Sequence, residues 1–137
     1  MEISQEKKQL EELNKLKAAS LKDDLLNSKE IINGITFVAA KLDLDAASMK
    51  NLAFELGKGH QDLFFIGGAE NNGKAILTLY ISKELAQERS LNAGNLVREL
   101  GKFIQGGGGG QPFFATAGGK NPSGIDQALE EAKKYLI

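Results

Sequence analysis

Five consecutive glycines, Gly106, Gly107, Gly108, Gly109 and Gly110, followed at once by Gln111-Pro112, limit what this chain can fold into more than any other feature of it. Glycine loses more backbone entropy on folding than any other residue, and Pro112 has no N–H to offer a neighbouring strand, so the segment predicts a loop. The elements on its two sides must then be short and separate. Ahead of it, residues 92–104 space Leu96, Val97, Leu100, Phe103 and Ile104 as the inner face of a helix, with Arg98, Glu99 and Lys102 outside. Behind it, residues 113–117 (Phe-Phe-Ala-Thr-Ala) predict a strand and Gly118-Gly119 a turn. Asn121 or Ser123 then caps a closing helix over residues 124–135.

The first half is organised by periodicity. Residues 4–29 contain neither glycine nor proline and are rich in strong helix formers, which predicts one long helix. Leu10, Leu13, Leu21 and Leu25 fall near one of its faces with Ile3, and read as the seam of a subunit pair. Lys17 and Asp24 interrupt a strict heptad, so a short or irregular helix pair is expected rather than a long zipper. Asn33-Gly34 is read as the helix stop. Residues 35–42 are β-branched and aromatic at first and predict a buried strand. Asp45 caps a helix through Gly57, with Met49, Leu52, Ala53 and Leu56 inward. Residues 63–69 and 74–82 predict two strands joined by the turn Glu70-Asn71-Asn72-Gly73. The expected fold is therefore α/β (α+β): a long N-terminal helix, then a small globular domain whose mixed four- to five-stranded sheet is packed by helices. The expected division is a helical dimerisation and linker segment, residues 1–33, and a globular unit, residues 34–137.

Composition narrows the function classes. With 17 Lys and Arg against 18 Asp and Glu the net charge is −1, so an RNA site must be a local patch and not a broadly basic surface. There is no cysteine, which excludes disulfides, thiolate zinc sites and cysteine nucleophiles. The one histidine, His60, lies in a polar Gly57-Lys58-Gly59-His60 stretch with no recognisable catalytic partners. No apolar run approaches the ~20 residues a membrane helix needs, and the first residues are too charged for a secretory signal. A cytoplasmic protein is expected.

Three features admit both a functional and a plain reading. The glycines suit an anion cradle, since bare backbone lets phosphate oxygens reach several N–H groups, but the same glycines suit a connector. They are not followed by the Lys-Ser/Thr of a nucleotide-binding loop. Arg98 and Lys102 stand four apart on a helix and Lys120 follows the last strand, so the three converge on the glycines or form a solvated pattern with Glu99. Phe113 and Phe114 point to opposite faces of a strand, so one enters the core while the other is free to stack on a base.

Residues 105–124, QGGGGGQPFFATAGGKNPSG, resemble the glycine-rich signature near the C-terminus of bacterial alanyl-tRNA synthetases. Asn33-Gly34-Ile35 leading into Ala39-Ala40-Lys41-Leu42-Asp43, the helix Leu96-Val97-Arg98-Glu99-Leu100 and the pair Ala128-Leu129 support it, so the resemblance spans nearly the whole chain. A related module follows the catalytic domain of DHH-type phosphoesterases. What the resemblance implies is a non-catalytic C-terminal piece, its Met1 set before a helix that continues a linker. Aminoacylation and editing residues, and the ATP and zinc used there, then lie in other parts of the parent ligase; no cofactor is expected here. The implied partners are tRNA, held at its outer corner, and a second copy of the chain. Many relatives carry basic residues at the positions of Gly108 and Gln111, which shifts the expected RNA contacts toward backbone N–H groups. The residues so assigned to RNA are Arg98, Lys102, the five glycines, Gln111, Gly118, Gly119 and Lys120. The competing expectations are a single-stranded nucleic-acid or nucleotide-binding domain of a DHH phosphoesterase and a purely structural dimerisation domain.

Overall fold

The computed structural model describes residues 24–136. After the helical residues 24–27 come strands β1 (Glu30–Ile32) and β2 (Ile35–Lys41), helix α1 (Ala46–Gly57), and strands β3 (Leu63–Asn71) and β4 (Lys74–Ile81). Helices α2 (Lys83–Glu88) and α3 (Ala93–Leu100) follow, the latter continued by a 3₁₀ turn, Gly101–Ile104. Strands β5 (Gly106–Gly110) and β6 (Phe114–Gly119) lead to helix α4 (Ile125–Ala132) and a last 3₁₀ turn, Lys133–Tyr135. All six strands form one mixed sheet in the order β1-β2-β3-β4-β6-β5. Only β2 and β3 run parallel, joined by the crossover helix α1.

The central elements form where periodicity places them. β2, β3 and β4 are short apolar runs bounded by Asn, Asp and Gly, and α1 starts at Asp45, whose carboxylate accepts a hydrogen bond from Ser48 N–H at 2.7 Å. Asn72 and Gly73, at φ 54 and 77°, supply the paired positive angles of a two-residue hairpin between β3 and β4.

Four local expectations are corrected. Asn33-Gly34 does not cap a helix: at φ 52 and 81° it turns the β1–β2 hairpin, with Ile32 opposite Ile35. The helix ends at residue 27, and the short β-branched run ahead of the turn pairs with β2 instead. The glycine tract is not a loop but the edge strand β5, and Gly118-Gly119 is not a turn but the end of β6, paired with it. The entropy cost of ordering these glycines is offset by hydrogen bonding along β6 and by a helix packed on them. With β1 and β5 added the sheet has six strands instead of four or five. Helix α2 is a further element that the sequence did not suggest.

Helices cover one face of the sheet and the centre of the other. On one, α3 and α4 cover Phe37, Phe64, Ile66, Leu77, Leu79, Ala115 and Ala117. On the other, α1 covers Val38, Leu63, Phe65 and Ala69. Leu25 joins this second core at 6% exposure. It therefore packs inside its own chain and is not part of an outward seam. Leu10, Leu13 and Leu21 lie outside the described residues.

Candidate nucleic-acid interface

Three backbones come together at the glycines. α3 crosses β5 with Gly94, Val97 and Gly101 on its contact side: a Cβ on Gly94 would lie 2.9 Å from the Gly110 carbonyl oxygen, and one on Gly101 3.3 Å from that of Gly106. Val97 lies between them, fully buried. Cβ atoms on Gly106 and Gly108 would run into the carbonyl oxygens of Gly118 and Thr116 on β6. β5 is thus held between helix and neighbouring strand at a separation that admits only glycine. The intervening positions differ. A Cβ on Gly107 meets nothing within 4 Å, and one on Gly109 meets only the Arg98 guanidinium, at 3.6 Å.

Alternation sorts the neighbouring strands. Ala75, Leu77, Leu79 and Ile81 of β4, with Ala115 and Ala117 of β6, belong to the core beneath α3 and α4. Ile76, Thr78 and Tyr80, with Phe114, Thr116 and Gly118, therefore face the α1 side. α1 packs over β3 and β4 and leaves much of β6 and β5 bare, so Thr116, Gly118 and Gly107 are exposed. Between Phe114 and Lys120 only Thr116 raises a side chain from β6 on this face. The outcome is a strip of exposed sheet whose backbone a ligand can approach closely.

Its ends are marked by aromatic and basic groups. At one end Phe114 stacks on Phe54 of α1, ring centres 5.3 Å apart, and Phe54 meets Tyr80 edge-on at 5.4 Å. Lys50, one turn back on α1, holds its Nζ 5.7 Å from the centre of the Phe114 ring. Burial, and next the charge of Glu84, push the Tyr80 phenol above its ordinary pKa, so it is neutral at physiological pH. At the other end Ala75 pairs with Gly119, which sets exposed Lys74 and Lys120 side by side at the ends of adjacent strands. Arg98 stands at the outer edge, beside Gly109.

Among the described residues, Lys58, Lys102, Lys133 and Lys134 are ion-paired, whereas Lys50, Lys74, Arg98 and Lys120 beside the strip are not, nor are Lys29, Lys41, Lys83 and Arg89. The strip itself carries no acidic residue. Although the chain is nearly neutral, this face is locally positive.

Not all of the residues expected from sequence meet here. Arg98, Gly107, Gly109, Gly118 and Lys120 border the strip. Gly106, Gly108 and Gly110 shape it from within β5, and Gly119 fits because a Cβ there would strike the Ile104 carbonyl. Gln111 donates its N–H to the Phe114 carbonyl at 2.8 Å, closing the β5–β6 connection. Lys102 is directed elsewhere, its ammonium 3.1 Å from Glu99. Of the two phenylalanines neither is deeply buried: Phe114 is half-buried against the α1 side and Phe113 is 37% exposed. Lys50, Phe54 and Lys74 were missed. The available signal was Phe54, an apolar residue on α1 outside the inward set Met49, Leu52, Ala53 and Leu56, with Lys50 one turn before it. His60 stays in its loop, its Nδ1 3.1 Å from the Lys58 carbonyl.

No helix among the described residues is long and apolar enough to cross a membrane, and no group of three or more of their His, Asp and Glu side chains could hold a metal ion.

Comparison with known proteins adds to this geometry. The DHHA1 domain family matches residues 34–137. The chain is 58% identical over 130 residues to the alanine–tRNA ligase of Christiangramia forsetii and 49% identical over 126 residues to that of Bacteroides thetaiotaomicron. These matches cover 95% and 91% of this chain, which spans only 15% and 14% of the two relatives. Among solved structures it is similar to the C-Ala domain of Aquifex aeolicus alanyl-tRNA synthetase, with a TM-score of 0.73 and 26% identity over 80% of this chain and 97% of that one. A DHH domain from a member of the s1p family of ribosomal proteins shares the fold, at a TM-score of 0.58 and 18% identity over 89% of this chain and 31% of that one.

Proposed function

Because the chain belongs to the DHHA1 domain family, we propose that it is the C-terminal, tRNA-holding module of an alanine–tRNA ligase and performs no chemistry itself. The observation that carries this reading is the exposed glycine strip bordered by four cations without ion pairs, Lys50, Lys74, Arg98 and Lys120. Lysine and arginine neutralise phosphates and release their counterions, which gives affinity without sequence demand. Side-chain-free backbone at Gly107 and Gly118 lets a ribose-phosphate chain lie close to the sheet. In a longer ligase such a tethered contact raises the effective concentration of tRNA near the sites that charge and proofread it. ATP and zinc belong to those other parts.

The test is a mobility shift of the intact chain with an alanine tRNA transcript, run beside an assay for ATP-dependent charging and for release of alanine. Salt-sensitive binding with neither activity is expected. Catalysis by the chain alone, or no binding even at low salt, contradicts the proposal.

Self-association through the N-terminal segment is a second part of the proposal. It rests on Leu10, Leu13 and Leu21, since Leu25 is taken up by the core. Sedimentation should give a dimer for the whole chain and a monomer once residues 1–23 are removed. A monomer in both cases removes this part and leaves the RNA reading intact.

A further inference from the structure

The aromatic end of the strip has chemistry that phosphate binding does not use. Phe54 lies on the outer side of α1, away from the buried Met49, Leu52, Ala53 and Leu56, and is 38% exposed. Packing its ring against water in this way gains nothing for the core. Yet the ring is held in place, offset-stacked on Phe114 at 28° between planes and edge-on to Tyr80 at 77°. Three interlocked rings give a firm surface with one partly exposed face. Lys50 brings a cation over the Phe114 ring, beside that face and without an ion pair.

A fixed aromatic face beside an unpaired cation, at the end of a positive and side-chain-poor strip, suits a nucleotide: the base stacks on the ring and its phosphate meets the cation. From Phe114 to Lys120 the strand covers ~20 Å, room for several nucleotides between the aromatic end and the Lys74–Lys120 end. We propose that Phe54 and Phe114, with Lys50, stack one exposed base of the RNA that the strip holds. This rests on the RNA-binding reading above and deepens it by naming the class of RNA preferred. An uninterrupted A-form duplex hides its base faces and offers phosphates and 2′-hydroxyls, whereas a loop, a sharp turn or a strand end presents a base face. The chain therefore favours folded or single-stranded RNA over a plain duplex of equal charge.

The experiment uses the intact chain and a single-stranded RNA octamer with one 2-aminopurine, whose fluorescence falls when it stacks. An octamer with the same phosphates and abasic sites in place of all its bases is the companion probe. Phe54→Leu keeps an apolar side chain on α1 and removes the ring, and Phe54→Tyr restores a ring. Phe54→Leu should abolish the quenching and weaken binding of the 2-aminopurine octamer about tenfold, within the range of one lost base stack, while Phe54→Tyr stays near the parent. Binding of the abasic octamer should be unchanged by either variant. Lys74→Ala with Lys120→Ala should weaken both octamers alike. If Phe54→Leu leaves quenching and affinity intact while the lysine variant loses affinity, the stacking proposal is overturned and the RNA reading stands. Equal losses on both octamers from Phe54→Leu also overturn it, because the ring then acts through the fold. If no variant changes any binding, both the stacking proposal and the strip as RNA site are overturned.

Discussion

Asp45 and Thr78 show how single residues tie this fold to its conditions. The Asp45 carboxylate caps α1, and the hydrogen bond from Ser48 N–H, aided by the Ser48 side chain, holds its pKa below the ordinary aspartate value. The folded state thus favours the ionised form. The cap is fully in force above the unfolded pKa and is lost as pH falls through the lower folded one. Asp45→Ala should cost about 1 kcal/mol at neutral pH in urea denaturation, and the gap from the parent should close as pH falls through the lowered pKa of the folded state. A gap that persists in acid would mean that the loss comes from something other than the charged cap. Thr78 is fully buried in β4, and its hydroxyl has no hydrogen-bond partner. Valine has the same shape without the unsatisfied group, so Thr78→Val should raise stability by roughly 1 kcal/mol. A loss of that size instead would show that a bound water or ligand satisfies the hydroxyl.

At the scale of the element, β5 explains what five glycines are for. Gly106 and Gly108 are pressed on β6 and Gly94 on the Gly110 carbonyl, whereas Gly107 looks into open space. Gly108→Ala should therefore push β5 off β6 and destabilise the chain by about 1–3 kcal/mol. Gly107→Ala should change stability little and, if the strip holds RNA, weaken binding by keeping the phosphate chain off the backbone. Thermal melts beside RNA titrations separate the two. Equal destabilisation by both variants contradicts the alternation. This strand also marks the limit of what the sequence makes legible. α1 and β2–β4 follow from local signals: a capping aspartate, a helical spacing of Met49, Leu52, Ala53 and Leu56, and apolar runs between Asn-Gly and Asp turns. The reason that Gly106–Gly110 is a strand is not local. It lies in Gly94 and Gly101 of a helix and in Thr116 and Ala117 of another strand, which meet it only in the folded chain. β1 was hidden for a related reason, since Glu30-Ile31-Ile32 is short and reads equally as the end of the preceding helix until β2 is beside it.

At the scale of the molecule, the candidate site is a face and not a motif. The glycine signature supplies one edge of that face, and Arg98 and Lys120 border it, but Lys74 and Lys50 come from other elements and are brought in by sheet register and by the crossover of α1. Lys102, adjacent in sequence, is turned to Glu99. The charge pattern follows the same logic: in a chain of net charge −1, Lys50, Lys74, Arg98 and Lys120, none of them ion-paired, border one bare face. The most direct measurement is the salt dependence of tRNA binding by the parent and by the chain carrying Lys74→Ala and Lys120→Ala, with circular dichroism to verify folding. Each phosphate contact contributes roughly one unit to the slope of log K against log salt, so the double variant should bind more weakly with a slope shallower by about 2. An unchanged affinity and slope in a folded double variant would contradict the placing of RNA on this face.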